Sequence, residues 1–420
     1  MSSRGEPGAR HDQAVTGFVR SVGLRPILER RTLQSMRSGV DPVPRFPGGL
    51  AGGHEGRPSG LPVLLLVLVL CALVFVLAGA ARAATFTVTN TGNSGPGSLR
   101  DAIERANAGG GTDTITFSPE ARGTIRLTTG QLTISSDLAV RGPGAGELSV
   151  RGNGEDRVFN VASGASARIS GLTVTGGGGG GINNQGTLTL TRSAVTKNFS
   201  EGSGGGISNR GTLTVARSTI SANTADEGGG GGVSNSGTRT TTALATITNS
   251  TVSGNEAETS GAGITTTNSS VVIRNSTVTN NTSEAPGGGL DIAGGATGAS
   301  VRVLSSIIAG NRTSDVSVGR NAGPVVSGGY NLVGTGDTAG FDKTGDRTGV
   351  TNSGLGPLAD NGGPTQTHAV LNGSPALDQG GGGLVRDQRS EPRPVDLPQV
   401  GNARGGNGAD VGAFERQAGV

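Results

Sequence analysis

Carboxylates come first in a search for chemistry. Hydrolysis of a glycosidic bond needs two or three of them converging, and elimination needs a basic group beside metal-bound acids. One acid recurs at a fixed step: Glu201, Asp226, Glu258 and Glu284 each lie three positions after an Asn (Asn198, Asn223, Asn255, Asn281). If those segments stack in register, the four carboxylates form a stripe with one group per layer, about 4.8 Å apart. Such a stripe reads as a solvated loop face that repels sheet edges; the sharper alternative is a strip for divalent cations, which take oxygen ligands. Other candidate groups are sparse. His368 is the one His after residue 84 and lies far from the repeats, and the single Cys, Cys71, excludes a disulfide framework or a multi-thiol zinc site. Phe199 is the one aromatic between Phe159 and Tyr330, so platforms for stacking sugars are nearly absent. Gly405-Gly406-Asn407-Gly408-Ala409-Asp410 matches a calcium-roll repeat once, with Gly412 where a large apolar residue belongs, and reads as chance. The glycine runs 176–181 and 228–232 precede no Lys and helix, so they are flexible surface turns and not phosphate loops. No residue is assigned a catalytic, cofactor-binding or metal-binding role, and no cofactor is implied.

The elements that carry these residues are repeats. A V/I-x-x-N block recurs at Val195, Ile220, Val252, Val278 and Ile308, each followed three residues on by Asn198, Asn223, Asn255, Asn281 or Asn311. A glycine-aliphatic block recurs at Ile182, Ile207, Val233, Ile264 and Leu290. From each Asn to the next aliphatic the gap is 9, 10, 9 and 9 residues, whereas from aliphatic to Asn it is 16, 16, 22, 17 and 21. Two constant stretches and one elastic loop per period fit a coil of short strands whose insertions emerge on one face. The strands alternate with period two, so helical and leucine-rich solenoids fit poorly. The two aliphatic series form interior rows. The recurrent Asn is structural: it tolerates left-handed backbone angles at a sharp turn, and stacked amides can bond from coil to coil.

Composition agrees with a thin, aliphatic core: the 420 residues include 79 Gly but nine Phe, one Tyr and no Trp. The net charge of +3 is uneven. Residues 1–83 carry +5 and residues 84–420 carry −2, so the pull toward nucleic acid belongs to the leader. Leu61 to Ala81 is an uncharged, mostly apolar run behind an Arg-rich segment, followed by Ala81-Arg82-Ala83. That is the layout of a secretory signal cleaved after Ala83; the alternative is an uncleaved anchor over residues 61–81, the one route to membrane contact. Under either reading everything after residue 84 is exported. Leu70 before Cys71 disfavours lipidation. The 60 residues ahead are long for such a signal, which an early start codon would explain, with Met36 one candidate for the true start.

The ends of a stack of strands must be covered. Ser98 and Asp101 form a capping-box-like pair, and Leu99, Ala102, Ile103 and Ala106 share one face of a short helix that Gly109 to Gly111 end. The expected fold is all-β, a right-handed single-stranded parallel β-helix with a short N-terminal capping helix and an irregular C-terminal domain. The expected divisions are a disordered Arg-rich leader over 1–60, a signal or membrane segment over 61–83, a cap over 84–123, coils over 124–352 and a C-terminal domain over 353–420. Nine to eleven coils would make a rod near 50 Å long.

The paired G-G-x-I and V/I-x-x-N blocks resemble the repeats of polymorphic outer-membrane proteins and of exported bacterial right-handed parallel β-helix proteins. Gly97-Ser98-Leu99-Arg100-Asp101-Ala102-Ile103 resembles the core of CSLREA-type N-terminal segments. Residues 355–415 read L-G-P-L-A-D-N-G-G-P-T-Q-T-H, S-P-A-L-D, D-Q-R-S-E-P-R-P and A-D-V-G-A-F-E, and resemble the choice-of-anchor Q domain, with Ser390 in place of the usual Gly. The resemblance implies a secreted or cell-surface protein. The leading expectation is a non-catalytic, structural or adhesive rod for a surface or extracellular ligand, polysaccharides included, and not nucleic acid. The alternative is a polysaccharide lyase or glycoside hydrolase-like enzyme using loops at Gly237 to Ala245 and Asp291 to Ser300. No Asp-Asp pair, Gly-His-Gly or Asn-Thr-Asp cluster supports it.

Overall fold

Alternation of Thr or Ser with Val, Ile or Leu gives strands with one apolar and one polar face. In Thr187–Thr191 and Thr212–Ala216, Leu188, Leu190, Leu213 and Val215 are fully buried while the intervening Thr side chains face outward. A coil of such strands buries nothing alone, and stacking supplies the missing half of its core. The computed structural model describes residues 82–238, 241–294 and 299–418. It is a right-handed parallel β-solenoid of about nine turns, built from parallel sheets of ten, nine and eight strands. The leader, residues 61–81 and parts of the two long insertions (239–240, 295–298) lie outside the described residues.

Both expected interior rows form. Ile182, Ile207, Val233, Ile264 and Leu290 pair directly from strand to strand, as do Val195, Ile220, Val252, Val278 and Ile308. Length variation falls between the eight-stranded and ten-stranded sheets, before Leu244–Thr248 and Val301–Leu304. A fourth sheet of two-residue strands begins at Phe199–Ser200 and ends at Thr282–Ser283. Coils before Phe199 lack it, so the cross-section steps outward there.

The Asn series is a continuous ladder. Asn198 Nδ2 donates to Asn223 Oδ1 at 2.9 Å, and the chain of bonds continues through Asn255, Asn281 and Asn311 at 2.8–2.9 Å. Each Oδ1 also accepts the backbone N–H of the Asn one coil earlier. The expectation of left-handed angles at these residues is corrected. The left-handed position is one residue earlier, at Lys197, Ala222, Gly254, Asn280 and Gly310. The sharp turn is made there, which frees the Asn to point its amide inward. Two further ladders accompany it. Asn184, Asn209 and Asn235 bond in series and end on Thr266. Ser193, Ser218, Ser250, Ser276 and Ser306 each place a backbone N–H on the next member's side chain, ending at Asn331.

The stack is closed at both ends. The helix α1, Leu99–Ala108, is capped by Ser98 Oγ accepting the Asp101 N–H at 3.2 Å, and buries Leu99, Ala102, Ile103 and Ala106. Asp101 reaches the Gly97 N–H and not that of Ser98, so the box is displaced by one residue. Thr85–Val88, ahead of α1, is the first strand of the ten-stranded sheet, paired with Asp113–Phe117, so the stack starts within the segment read as a cap. At the far end Phe341 is buried in the main core. Aspartates end the amide series: Asp315 accepts from Asn311, and Asp346 from Asn331. The glycine turns read as flexible are close-packed. An added Cβ on Gly178 would sit 1.9 Å from the Gly154 carbonyl oxygen.

Residues 355–418 lie along the side of the solenoid, against the nine-stranded sheet. Leu355–Ala359 and Thr367–Val370 form an antiparallel pair. Ile307 and Leu332 of the last coils share a second core with Val370, Leu377, Val411 and Phe414. The hydroxyl face of the sheet receives the rest: Thr219 donates to the Gln366 carbonyl, Thr251 to Gln388 Oε1, and Thr277 accepts the Ala413 N–H.

Asn255→Ala removes a mid-ladder amide, strands the Asn223 backbone N–H in the interior and takes from Asn281 Oδ1 one of its two donors. Unfolding by urea is expected to show a loss of about 3 kcal/mol, with Asn255→Asp costing at least as much, because its second oxygen faces the Ile220 carbonyl and Asn281 Oδ1 where the amide donated.

Candidate functional site

The acidic stripe forms as its spacing requires. Glu201, Asp226, Glu258 and Glu284 each directly follow a strand of the four-stranded sheet, whose members pair in register. All four are exposed. Asp226, Glu258 and Glu284, with Glu256, border a shallow depression of about 280 Å³. Among the described residues no group of three or more His, Cys, Asp or Glu is arranged to hold a metal ion.

The only His in the described residues stands beside a hydroxyl, an arrangement that in the open would suggest a nucleophile. Ser253 Oγ lies 2.8 Å from His368 Nε2, and His368 Nδ1 lies 2.7 Å from the Gly356 carbonyl. A carbonyl only accepts, so Nδ1 carries the proton and Nε2 accepts from the hydroxyl. No carboxylate orients the ring, and His368 is 2 % exposed, sealed between the nine-stranded sheet and the C-terminal domain. The pair is a docking contact. Burial holds the imidazole below its usual pKa.

The blocks of the C-terminal domain converge on a buried ion network. Arg393 Nε donates to Glu415 Oε2 at 2.8 Å, and its Nη2 to the carbonyls of Gly412 and Phe414. The Val395 and Asp410 N–H groups also donate to the Glu415 carboxylate. Arg389 bonds Asp387 at 2.8 Å and lies 3.7 Å above the centre of the Phe414 ring. Asp410 accepts the backbone N–H groups of Asp378 and Arg416, which fixes the calcium-roll-like segment as a structural turn. Burial pushes Glu415 up to about 7 against the pull of Arg393, and pushes Asp410 up to about 6. Burial also raises Asp378, whose Oδ1 has no hydrogen-bond partner.

An open groove of about 1020 Å³ lies elsewhere, where the coil cross-section steps outward. Its floor is the glycine turns of successive coils at Gly130, Gly154, Gly178 and Gly202. Glu155, Asp156, Arg157, Glu201 and Arg210 line it, and Phe199, 40 % exposed, stands at its wall. Among the described residues no ion pair joins these acids to these arginines. Of the stripe residues, only Glu201 reaches the groove. The described residues of the expected enzyme loops (237–238, 241–245, 291–294 and 299–300) do not line it. They emerge between the eight- and ten-stranded sheets, whereas the groove lies over the glycine turns that enter the eight-stranded sheet. Glu155 and Arg157 share one turn, Arg210 stands in a turn of another coil, and none of them repeats, so linear spacing gave no signal for them. Phe199, as the one aromatic between Phe159 and Tyr330, was visible.

Residues 157–339 match the family model described as "Right handed beta helix region". Comparison with curated proteins gives no match. A solved structure titled "Geobacillus virus E2 - ORF18" aligns at 11% identity and a TM-score of 0.25, covering 61% of this chain and 53% of that one. The chain thus spans about half the length of that structure.

Two outcomes follow from these environments. Chelation of calcium is expected to leave the thermal melt unchanged, because the stripe carboxylates face solvent singly; a fall in the melting temperature would restore the cation-strip reading. The raised carboxyls take up protons on folding, so their contribution is largest near pH 4.5 and declines as pH rises toward about 7. The depressed His368 acts oppositely, favouring the fold as pH rises through its usual value near 6.5. Glu415→Gln is expected to flatten the decline between about pH 4.5 and about 7, as read from urea midpoints across that range.

Proposed function

We propose that the chain is an exported β-helix protein that serves as a non-catalytic surface or extracellular interaction rod. The observation that carries this reading is how the chemistry-bearing groups are distributed. The repeated polar groups inside the coils are engaged in ladders, the Ser253–His368 pair is sealed, and the C-terminal ion network is buried. Five charged groups, Glu155, Asp156, Arg157, Glu201 and Arg210, gather in the open groove beside Phe199. The apolar run over 61–81, with Ala81-Arg82-Ala83 behind it, supports export. The C-terminal blocks support membership of the choice-of-anchor Q type; the N-terminal block and repeats support the CSLREA and polymorphic-outer-membrane resemblances. A second reading, a lyase or glycoside hydrolase-like enzyme, is favoured by one feature: Glu155, Asp156 and Glu201 line the same groove as Arg157 and Arg210.

Expression of the full chain in a bacterial host, followed by fractionation and N-terminal sequencing, is expected to give an exported product beginning at Ala84. Incubation with pectin, alginate and neutral glycans is expected to release no product. Turnover abolished by Glu155→Gln or Glu201→Gln would establish the enzyme reading instead.

A further inference from the structure

We propose that the groove binds an extended, uncharged glycan that lies parallel to the stacking axis, with one sugar face against Phe199. The proposal rests on the reading of the chain as an interaction rod and names the ligand class of its site.

Length is the first argument. The floor is made by turns from four successive coils (Gly130, Gly154, Gly178, Gly202), and three coil rises amount to about 14 Å. A feature of that length suits a chain better than a single small molecule. The second argument is the aromatic. Unlike Phe159, which is fully buried in the core, Phe199 stands outward at the wall, where its apolar face is open to a partner. Such a ring offers a flat apolar surface to the C–H face of a sugar, while the surrounding polar groups serve the hydroxyls.

Charge selects the class. Glu155, Asp156 and Glu201 only accept hydrogen bonds, and Arg157 and Arg210 only donate them. Sugar hydroxyls do both, so a mixed lining satisfies them from either side. Three carboxylates against two guanidiniums leave the groove net negative, which opposes a polyuronate. The groups are also lightly engaged: among the described residues no ion pair joins them, Arg210 makes one side-chain hydrogen bond, to Ser208 Oγ at 3.3 Å, and Asp156 accepts one, from Asn153 Nδ2 at 3.0 Å.

Rigidity supports the same conclusion. The wall strand is bonded to the floor on both sides, Phe199 N–H to the Gly177 carbonyl at 2.8 Å and Gly180 N–H to the Phe199 carbonyl at 2.6 Å. Gly178 approaches Gly154 too closely for any side chain. Little ordering is left for binding to impose.

The test is titration of the full-length chain with neutral oligomers of glucose, mannose, xylose and N-acetylglucosamine, alongside polygalacturonate and alginate. At least one neutral oligomer is expected to bind while the polyuronates do not. Phe199→Ala should weaken binding by about tenfold, and Glu201→Gln and Arg210→Gln should each weaken it measurably, with melting temperatures unchanged because all three side chains are exposed. Glu258→Gln, on the stripe outside the groove, should bind as the native chain does. The proposal is overturned if no neutral oligomer binds, if a polyuronate binds more tightly, if Phe199→Ala keeps full affinity, or if Glu258→Gln weakens binding as much. Failure of the parent reading looks different: retention inside the cell would remove export, and product release would remove the non-catalytic role. Neither alters which residues the titration identifies.

Discussion

A buried amide has to find a partner, and in this solenoid the partner is the same residue one coil away. Asn223, Asn255 and Asn281 are each held by the Asn on either side, through side-chain and backbone bonds, and Asn198 and Asn311 end the series. Displacing one coil by a residue would orphan several donors and acceptors at once, at about 1–3 kcal/mol each. The constant gap from each Asn to the next aliphatic follows from this. That stretch contains the turn, the fourth-sheet strand and the glycine beside the ladder, and none of these has slack. An added Cβ on Gly206, Gly232 or Gly263 would fall within 3.0 Å of the stacked Asn amide nitrogen. Insertions are admitted only on the opposite side, ahead of the ten-stranded sheet, where no ladder bond is interrupted.

The same constraint governs how the stack stops. A repeating donor–acceptor series leaves one dangling donor at its end, and in two ladders an aspartate takes the place of the next amide. Asp315 accepts the Asn311 backbone and side-chain N–H groups as well as the Thr335 N–H. Asp346 does the same for Asn331. A carboxylate suits the position because it only accepts, so it closes the series without demanding a further partner. Apolar closure is separate: α1 covers the first coils and Phe341 the last, which removes the exposed edges that would otherwise template association.

The fold was largely legible in the sequence because the repeat writes each row many times. Both aliphatic rows, the Asn ladder, the buried face of α1 and the position of the elastic loop follow from spacing alone. The left-handed turn was misplaced by one residue because its position holds Lys, Ala, Gly, Asn and Gly in turn and has no consensus to read. The second ladder had a signal in Ile182-Asn183-Asn184, Ile207-Ser208-Asn209 and Val233-Ser234-Asn235, two residues after each aliphatic. The docking of the C-terminal domain had none. Gln388 with Thr219, and His368 with Ser253, join residues more than a hundred positions apart through ordinary hydroxyls. The candidate site was legible only in pieces, Glu201 as a stripe member and Phe199 as an isolated aromatic.

A repeat protein places its distinctive chemistry where the repetition breaks. Identical coils present identical surfaces, and a uniform surface has no position at which one ligand fits better than at the next. Here the break lies at Phe199, where the coil gains a fourth strand and the glycine turns before it are left recessed. The recess has a floor fixed by backbone contacts, a wall fixed by the ladder and, Glu201 apart, charged side chains that no neighbouring coil duplicates. The acidic stripe, by contrast, continues the repeat and borders only a shallow depression. Selectivity therefore belongs to the step, and the regular coils on either side supply the stiffness that keeps its width constant.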